Sequence, residues 1–392
     1  MFNLRVIESK NCHELHQEMS QIGVGSEGIR IMLDKGQFVV LRADSLSTPA
    51  ALILKQELLA VGGEAAVHRQ VIVQGVEHSS VLLMATKAQY RKLCVKLNLQ
   101  QFKLPVLAAQ IEQVLFGKKY RLIRGKKKTL HCGEKTLIMG ILNVTPDSFY
   151  DGGEFLDPGA AVEQALNLAA SGADIIDIGG ASSRPGFQAV TAEEELARIL
   201  PVIKRVSSLI DQPLSVDTEK AEVAAAALDA GASIINDITG LQAPDMVDIA
   251  AQTGAPVVIM HNSRGLEHGD DLMGEILCFF RDKITQVQAK GVQEEQIIID
   301  PGLGFGKDTR QNLVILHHLS QLKSLPYPLL IAASQKRFIG DVLDLPLEKR
   351  LSGSTAVATL SAAGGAEIVR VHNVLEVKQA LKIADAIRRG AK

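Results

Sequence analysis

Short apolar runs that end in a polar residue recur eight times between Leu137 and His372. They are Leu137–Asn143, Ile175–Gly179, Leu214–Asp217, Ser233–Asp237, Val257–His261, Ile297–Asp300, Leu329–Ser334 and Ile368–His372. Stretches with helical spacing lie between most of them: Ala161, Ala165, Leu168 and Ala169 fall on one helical face, and an alanine run follows Glu222. The runs are rich in Ile, Val and Leu without polar alternation, as strands buried on both faces are. Gly172, Gly231, Gly254 and Gly291 each precede the next run, where a helix C-cap belongs. Pro201 is expected near a turn start or at a kink. Eight such units predict an α/β fold, a closed (β/α)8 TIM barrel over residues from about 129 to 392. Strand ends of a parallel barrel share one rim, so Asn143, Asp217, Asn236, Asp300, Lys336, Arg370 and His372 are expected around one pocket.

Residues 1–116 follow a different pattern. Phe38–Leu41, Ala65–Val73 and Val81–Ala85 read as strands, and Thr48–Ala60, Lys87–Leu97 and Leu104–Leu115 as helices. This predicts a small α+β domain with no glycine-rich loop, no clustered metal ligands and no recognisable chemistry. Between the two regions, residues 117–128 (GKKYRLIRGKKK) form a basic linker. A basic run can bind phosphate or nucleic acid; a solvated linker, or an edge hairpin closing the barrel's base, is the plainer reading and the preferred one.

A chain of 392 residues exceeds a typical single domain, in keeping with this division. A net charge of −2 argues against nucleic-acid binding as the main activity. Cys12, Cys94, Cys132 and Cys278 are widely spaced and form no CxxC pair, which suits a reducing compartment and gives no zinc signature. The opening residues lack a secretory apolar core, and no run is long enough to span a bilayer. A soluble cytoplasmic protein is the expectation.

The chemistry concentrates in loops after the runs. Residues 143–153 (NVTPDSFYDGG) and 179–186 (GGASSRPG) are oxygen-rich, Gly- and Pro-containing segments on adjacent strands. Either alone is an ordinary surface turn; two together at the functional rim weaken that reading. Asp217 and Asp300 are carboxylates at strand ends, suited to accept N–H bonds, although each also suits a local cap: Asp217 for a following helix, Asp300 before Pro301. Lys336 stands at a helix start, where a cation opposes the helix dipole, and the misfit favours a function. Arg370 and His372 lie two apart on one strand face; a buried salt bridge is the alternative for this pair. Gly302–Lys307 superficially suggests a phosphate loop, but Pro301 occupies the required glycine position and Asp308 replaces Ser/Thr. His261 reads as a packed imidazole at least as readily as a pocket residue.

The segments ILNVTPDSFYDGG, DIIDIGGASSRPG, SVDT, IIND, IDPGLGFGK and RVH, in this order over residues 130–392, resemble the signature of the dihydropteroate synthases. The resemblance does not extend to residues 1–116. It implies condensation of 6-hydroxymethyl-7,8-dihydropterin diphosphate with 4-aminobenzoate, giving 7,8-dihydropteroate and diphosphate by SN1-like loss of diphosphate. By resemblance, Asp217, Asn236, Asp300 and Lys336 hold the pterin, with Asp217, Asp300 and Lys336 catalytic. Asn143, Arg370 and His372 take the diphosphate, with Asn143 the one protein ligand of Mg2+. Phe149, Ser183, Arg184 and Pro185, with Ser182 nearby, line the aminobenzoate side. The partners implied are these small molecules and a second copy of the chain, packed through barrel helices as a homodimer.

The sequence departs from the family pattern at Ala181 (usually Glu), Ser183 (usually Thr), Gln335 (usually Arg) and Asn373 (usually Asp). An arginine follows the lysine instead, so Arg337 is expected to take over aminobenzoate carboxylate binding. Three rivals stay open: a methyltetrahydrofolate:corrinoid methyltransferase, which needs no diphosphate site; a barrel that binds pterin without turnover; and a bifunctional enzyme with a second activity in residues 1–116.

Overall fold

The computed structural model describes residues 2–7, 12–145, 158–181 and 190–389, and the chain divides into two compact units, Met1–Lys118 and Lys119–Lys392.

In the first unit, helices α1 (Cys12–Gln21) and α2 (Ser26–Leu33) precede a three-stranded antiparallel sheet of order β1-β3-β2. Its strands are β1 (Phe38–Ser47), β2 (Glu64–Val67) and β3 (His78–Thr86). Along β3 the buried residues are Ser79, Val81, Leu83 and Ala85, every second position, so one sheet face meets the core. That core is completed by α3 (Thr48–Ala60), α4 (Lys87–Leu97) and α5 (Leu104–Phe116), which contribute Leu54, Leu58, Leu93, Leu97 and Ile111. Thr86 and Gln89 form a reciprocal capping box that starts α4 where strand β3 stops. The apolar run Ala65–Val73 is not one strand: pairing ends at Val67, and residues 69–74 turn. Val71 is buried beneath that turn while Ile72 and Val73 face solvent, a split that a uniform strand reading does not anticipate. Helix α1 buries none of its residues fully; Leu15 and Met19, one turn apart, are half-buried.

The second unit opens with an antiparallel hairpin, β4 (Leu122–Arg124) and β5 (Thr129–His131). Eight parallel strands follow: β6 (Leu137–Asn143), β7 (Ile175–Gly179), β8 (Leu214–Asp217), β9 (Ile234–Asp237), β10 (Val257–Met260), β11 (Ile297–Asp300), β12 (Leu330–Ile331) and β13 (Ile368–Val371). Their order is β11-β10-β9-β8-β7-β6-β13-β12, and a parallel bridge between Ile299 and Leu329 closes the ring. Helices α6 (Pro158–Ser171), α7 (Ala192–Leu209), α8 (Ala221–Ala230), α9 (Pro244–Thr253) and α10 (Leu272–Ala289) follow β6 to β10 in turn. The short α11 (Thr309–His317) and α12 (Leu319–Leu322) follow β11, α13 (Arg337–Leu343) and α14 (Leu351–Gly364) follow β12, and α15 (Val374–Arg389) follows β13. Gly231 and Gly254 close α8 and α9, and Pro201 lies inside the 18-residue α7. The seventh strand is far shorter than the run Leu329–Ser334: pairing ends at Ile331, and the Ala333 carbonyl turns to accept from the Lys336 amide.

Strand parity sorts the barrel into layers. Ile176, Ile178, Val216, Ile235, Val257 and Ile299 pack outward in the large core beneath the helices. Leu137, Met139, Ile175, Ile234, Val258, Ile298, Leu330 and Ile368 point inward and pack with Ile123, Leu130 and Cys132. The hairpin therefore plugs the barrel's base. Its basic residues meet helix ends: Lys127 Nζ donates to the carbonyls of Ser207 and Ile210 at the end of α7, and Lys126 Nζ to that of Leu228 in the last turn of α8. Lys119 Nζ likewise donates to the Lys323 carbonyl after α12 (2.9 Å). Cations at helix C-termini satisfy orphan carbonyls and oppose the helix dipole, which gives Lys119, Lys126 and Lys127 a structural role.

Candidate active site

Two residues along each strand from the apolar layer, the inward face turns polar. Ile175 is succeeded by Asp177, Ile234 by Asn236, Ile298 by Asp300 and Ile368 by Arg370, and on β8 the buried Ser215 by Asp217. Side chains from five strands thus share one level of the barrel interior, near the C-terminal rim where such barrels carry function.

Arg370 is the hub. Its Nε lies 2.6 Å from Asp177 Oδ2 and its Nη2 2.5 Å from Asp217 Oδ2, and Asn236 Nδ2 donates to the same Asp177 oxygen at 3.0 Å. Asp177 is fully buried, and its second oxygen, Oδ1, has no hydrogen-bond partner. A buried carboxylate oxygen left in that state is costly, and it stands ready to accept from a ligand's N–H. Burial pushes the Asp217 carboxyl up to about 7; Arg370 opposes this, while Asp177, Glu195 and Asp237 add to it. For Arg370, burial disfavours the cation, but Asp177 and Asp217 together outweigh it and raise its proton affinity.

Asp300 and Lys336 form the second half of the site. Asp300 is 3% exposed and accepts from the Gly302 amide at 2.7 Å. Its carboxyl is raised by burial, with Lys336 the main opposing influence. Lys336 occupies the N-cap of α13, yet its side chain does not cap the helix. Instead Nζ donates to the Leu303 carbonyl and stands 4.7 Å from the centre of the Phe305 ring. Burial draws this lysine down to about 8, against the pull of Asp300.

At the rim, His372 Nδ1 and Ser334 Oγ are 3.0 Å apart, and the His372 amide donates to the same hydroxyl. Asn143 ends β6 half-buried. Arg337 lies outside this constellation: its side chain is 92% exposed and pairs with Asp341 at 3.7 Å. Gln335 adopts φ +60°, held by a bond from its amide to Ser354 Oγ at 2.9 Å and by its carbonyl accepting from Arg350. Phe149, Ser182, Ser183, Arg184 and Pro185 lie outside the described residues.

The geometry thus brings Asp217, Asn236, Asp300, Lys336 and Arg370 together, and gives Arg370 ion pairs with Asp177 and Asp217. Sequence reading missed Asp177 and Ser334. The signal for Asp177 was present: an acidic residue in phase with Ile175 and Gly179 inside an otherwise apolar strand. The pocket can accept several N–H groups through carboxylates while a lysine and an arginine keep it from excess negative charge.

Comparison with known proteins agrees with this constellation. The pterin binding enzyme family matches residues 139–372. A dihydropteroate synthase of Clostridium beijerinckii is 45% identical over 264 residues, covering 67% of this chain and 98% of that protein. The structure of Xanthomonas albilineans dihydropteroate synthase with 4-aminobenzoic acid superposes with a TM-score of 0.67 at 42% identity, covering 70% of this chain and all of that one. A probable bifunctional folylpolyglutamate synthase/dihydropteroate synthase of Halobacterium salinarum is 41% identical over 370 residues, 93% of this chain, which spans only 44% of that protein. A match of that extent cannot be held by the barrel alone, so it reaches into the first unit, whereas the two single-function proteins match little more than the barrel. With the motifs, the barrel and its acidic pocket in agreement, the chain belongs to the dihydropteroate synthase family of pterin binding enzymes.

Proposed function

We propose that the chain joins 6-hydroxymethyl-7,8-dihydropterin diphosphate to 4-aminobenzoate, releasing diphosphate and forming 7,8-dihydropteroate. The single observation that carries this reading is the Asp177–Arg370–Asp217 ion-pair set with Asn236, beside buried Asp300 and Lys336. A pterin presents amide and amidine-like edges, and these residues supply fixed acceptors and donors for them. Asp217, Asn236, Asp300 and Lys336 bind the ring; Asp177 Oδ1 is a further acceptor.

The reaction breaks the bond between the pterin methylene carbon and a diphosphate oxygen, which leaves with the electron pair. Positive charge spreads over the pterin, and ionised Asp217 stabilises it through space. The amine nitrogen of 4-aminobenzoate then bonds to the methylene carbon and sheds one proton. An arylamine at neutral pH carries a free lone pair, so no dedicated base is needed. Asn143 and His372 at the rim serve the departing diphosphate, and Arg370 serves it from below while it holds Asp177 and Asp217. Arg337 serves the aminobenzoate carboxylate by exchanging Asp341 for it.

Asn143, half-buried at the end of β6, would be the side chain that holds a magnesium ion at the rim. A metal held by protein alone needs a cluster of ligands, and no group of three His, Cys, Asp or Glu suited to one is found among the described residues. When bound, the ion neutralises charge on the diphosphate.

A homodimer is proposed through α14 and α15, where Leu360, Leu375, Ile383 and Ile387 are exposed. Among the described residues no helix is long and apolar enough to cross a membrane; a cytoplasmic location is proposed on the cysteine pattern. The test of function is a coupled assay for diphosphate release with both substrates. Release that depends on 4-aminobenzoate is expected; no release, or release without the arylamine, rejects the reading.

A further inference from the structure

We propose that Lys307 is a positioning residue for the pterin pocket: its buried ammonium clamps the loop after β11 to the chain leaving β10, and so sets where Lys336 and Asp300 stand. This rests on the functional reading above and concerns the same site. The loop is Gly302–Lys307, the segment that only superficially looks like a phosphate cradle. Its backbone lies flat against the chain after β10. A Cβ on Gly302 would come within 2.2 Å of the His261 carbonyl oxygen, and one on Gly306 within 2.2 Å of the Ser263 backbone. Both glycines have φ near +70°, which other residues adopt only with strain.

Such close packing aims several carbonyl oxygens at one point, an arrangement that is repulsive without a donor. Lys307 Nζ occupies that point, 2.9 Å from the His261 carbonyl, 3.1 Å from that of Gly302 and 3.1 Å from that of Phe305. The residue is 8% exposed. A lysine ammonium has three N–H bonds, and all three are engaged, so none is left for substrate. The loop is tied from outside as well: Ser263 Oγ donates to the Phe305 carbonyl, and His268 bridges Ser263 Oγ at 2.9 Å and the Glu275 carboxylate at 2.7 Å.

What the loop carries is the pocket. Asp300 receives the Gly302 amide, Lys336 Nζ is held by the Leu303 carbonyl, and the Phe305 ring faces Lys336 and the Arg264 guanidinium, whose Cζ is 4.6 Å from the ring centre. Charged and titratable groups approach Lys307 from both sides, Asp300 and Lys336 from the pocket and His261, itself beside His268, from the β10 side. Burial draws Lys307 down to about 7 while Asp300 pulls it back. The same attraction keeps Asp300 from rising further.

The test uses the full chain with Lys307→Met and Lys307→Arg. Melting temperature is measured, with kcat and the KM of each substrate from about pH 5.5 to 9. In the Met variant the KM for 6-hydroxymethyl-7,8-dihydropterin diphosphate should rise roughly tenfold, while that for 4-aminobenzoate stays within about twofold. The acid limb of kcat/KM for the pterin substrate should move up by about half a pH unit or more, because Asp300 loses a neighbouring cation. The Arg variant keeps the charge and should keep the acid limb in place even with a raised KM. A Met variant that melts lower but retains the parent KM and pH profile makes Lys307 a stability element only, and overturns the proposal. Should the Met variant not fold, an Arg variant with the parent pterin KM overturns it instead. A parent chain that releases no diphosphate defeats the functional reading and this one together; an active parent with an unaltered Met variant defeats this one alone.

Discussion

Asp177 and Arg370, 193 residues apart in the chain, meet at 2.6 Å inside the barrel, with no part of the aspartate reaching solvent. Removing one member of such a pair leaves the other charge buried with fewer partners. Asp177→Ala is expected to cost about 3–5 kcal/mol in urea unfolding. The milder Asp177→Asn should fold, and should raise the pterin KM about tenfold, because Arg370 and Asn236 both lose a charged acceptor. Steady-state kinetics with varied pterin diphosphate decides it, and an unchanged KM would remove Asp177 from the pocket's working parts.

Asp217 should govern turnover far more than diphosphate affinity. Asp217→Asn is expected to lower kcat by roughly a hundredfold or more while diphosphate affinity, measured by calorimetry, changes little. Turnover equal to the parent's sinks the charge-stabilising role.

The same residue makes a stability prediction. Its carboxyl titrates near 7 in the folded chain against 3.8 ordinarily. Between those values the folded state holds more protons than the unfolded state, so this group's contribution is fully present below about pH 4 and is lost as pH rises through about 7. The Asn variant should therefore lose less stability than the parent between pH 4 and 7. Parallel melting curves across that range would contradict the assignment.

At the base, Ile123 is 1% exposed in the apolar plug. Ile123→Ala should destabilise the barrel by about 2–5 kcal/mol with little change in the KM of either substrate. A selective loss of substrate affinity would mean that the base and rim are coupled.

Arg337→Ala tests the most exposed of the proposed substrate contacts. A rise of about tenfold in the 4-aminobenzoate KM, with the pterin KM unaltered, is expected. No rise leaves the carboxylate to other groups.

The rim was legible in part because a polar residue closing an apolar run is conspicuous: Asp217 and Asp300 close theirs, Asn236 and Arg370 lie one and two residues before the ends of theirs, and Lys336 follows one, its role implied by the resemblance. Asp177 sits in the middle of β7, and a strand taken as buried on both sides hides its own parity. Arg370 was found but its partners were not, since ion pairs across a barrel have no sequence spacing. In the first unit, α3, α4 and α5 were read close to their observed bounds, while α1, which buries none of its residues, was not read. The turn within residues 69–74 was obscured by the hydrophobicity of Val71, Ile72 and Val73, of which only the first is buried.

The lysines of the hairpin give the barrel an electrical direction. Parallel βα units point their helix N-termini toward the rim and their C-termini toward the base, so the aligned dipoles leave the rim positive and the base negative. Lys119, Lys126 and Lys127 discharge the base from within the same chain. The open end is met by anions of the same chain: acidic residues stand in the first turns of α7, α8 and α9, and Asp271 and Asp308 cap α10 and α11. Both poles of the barrel are thus balanced by its own side chains, ammonium groups below and carboxylates above.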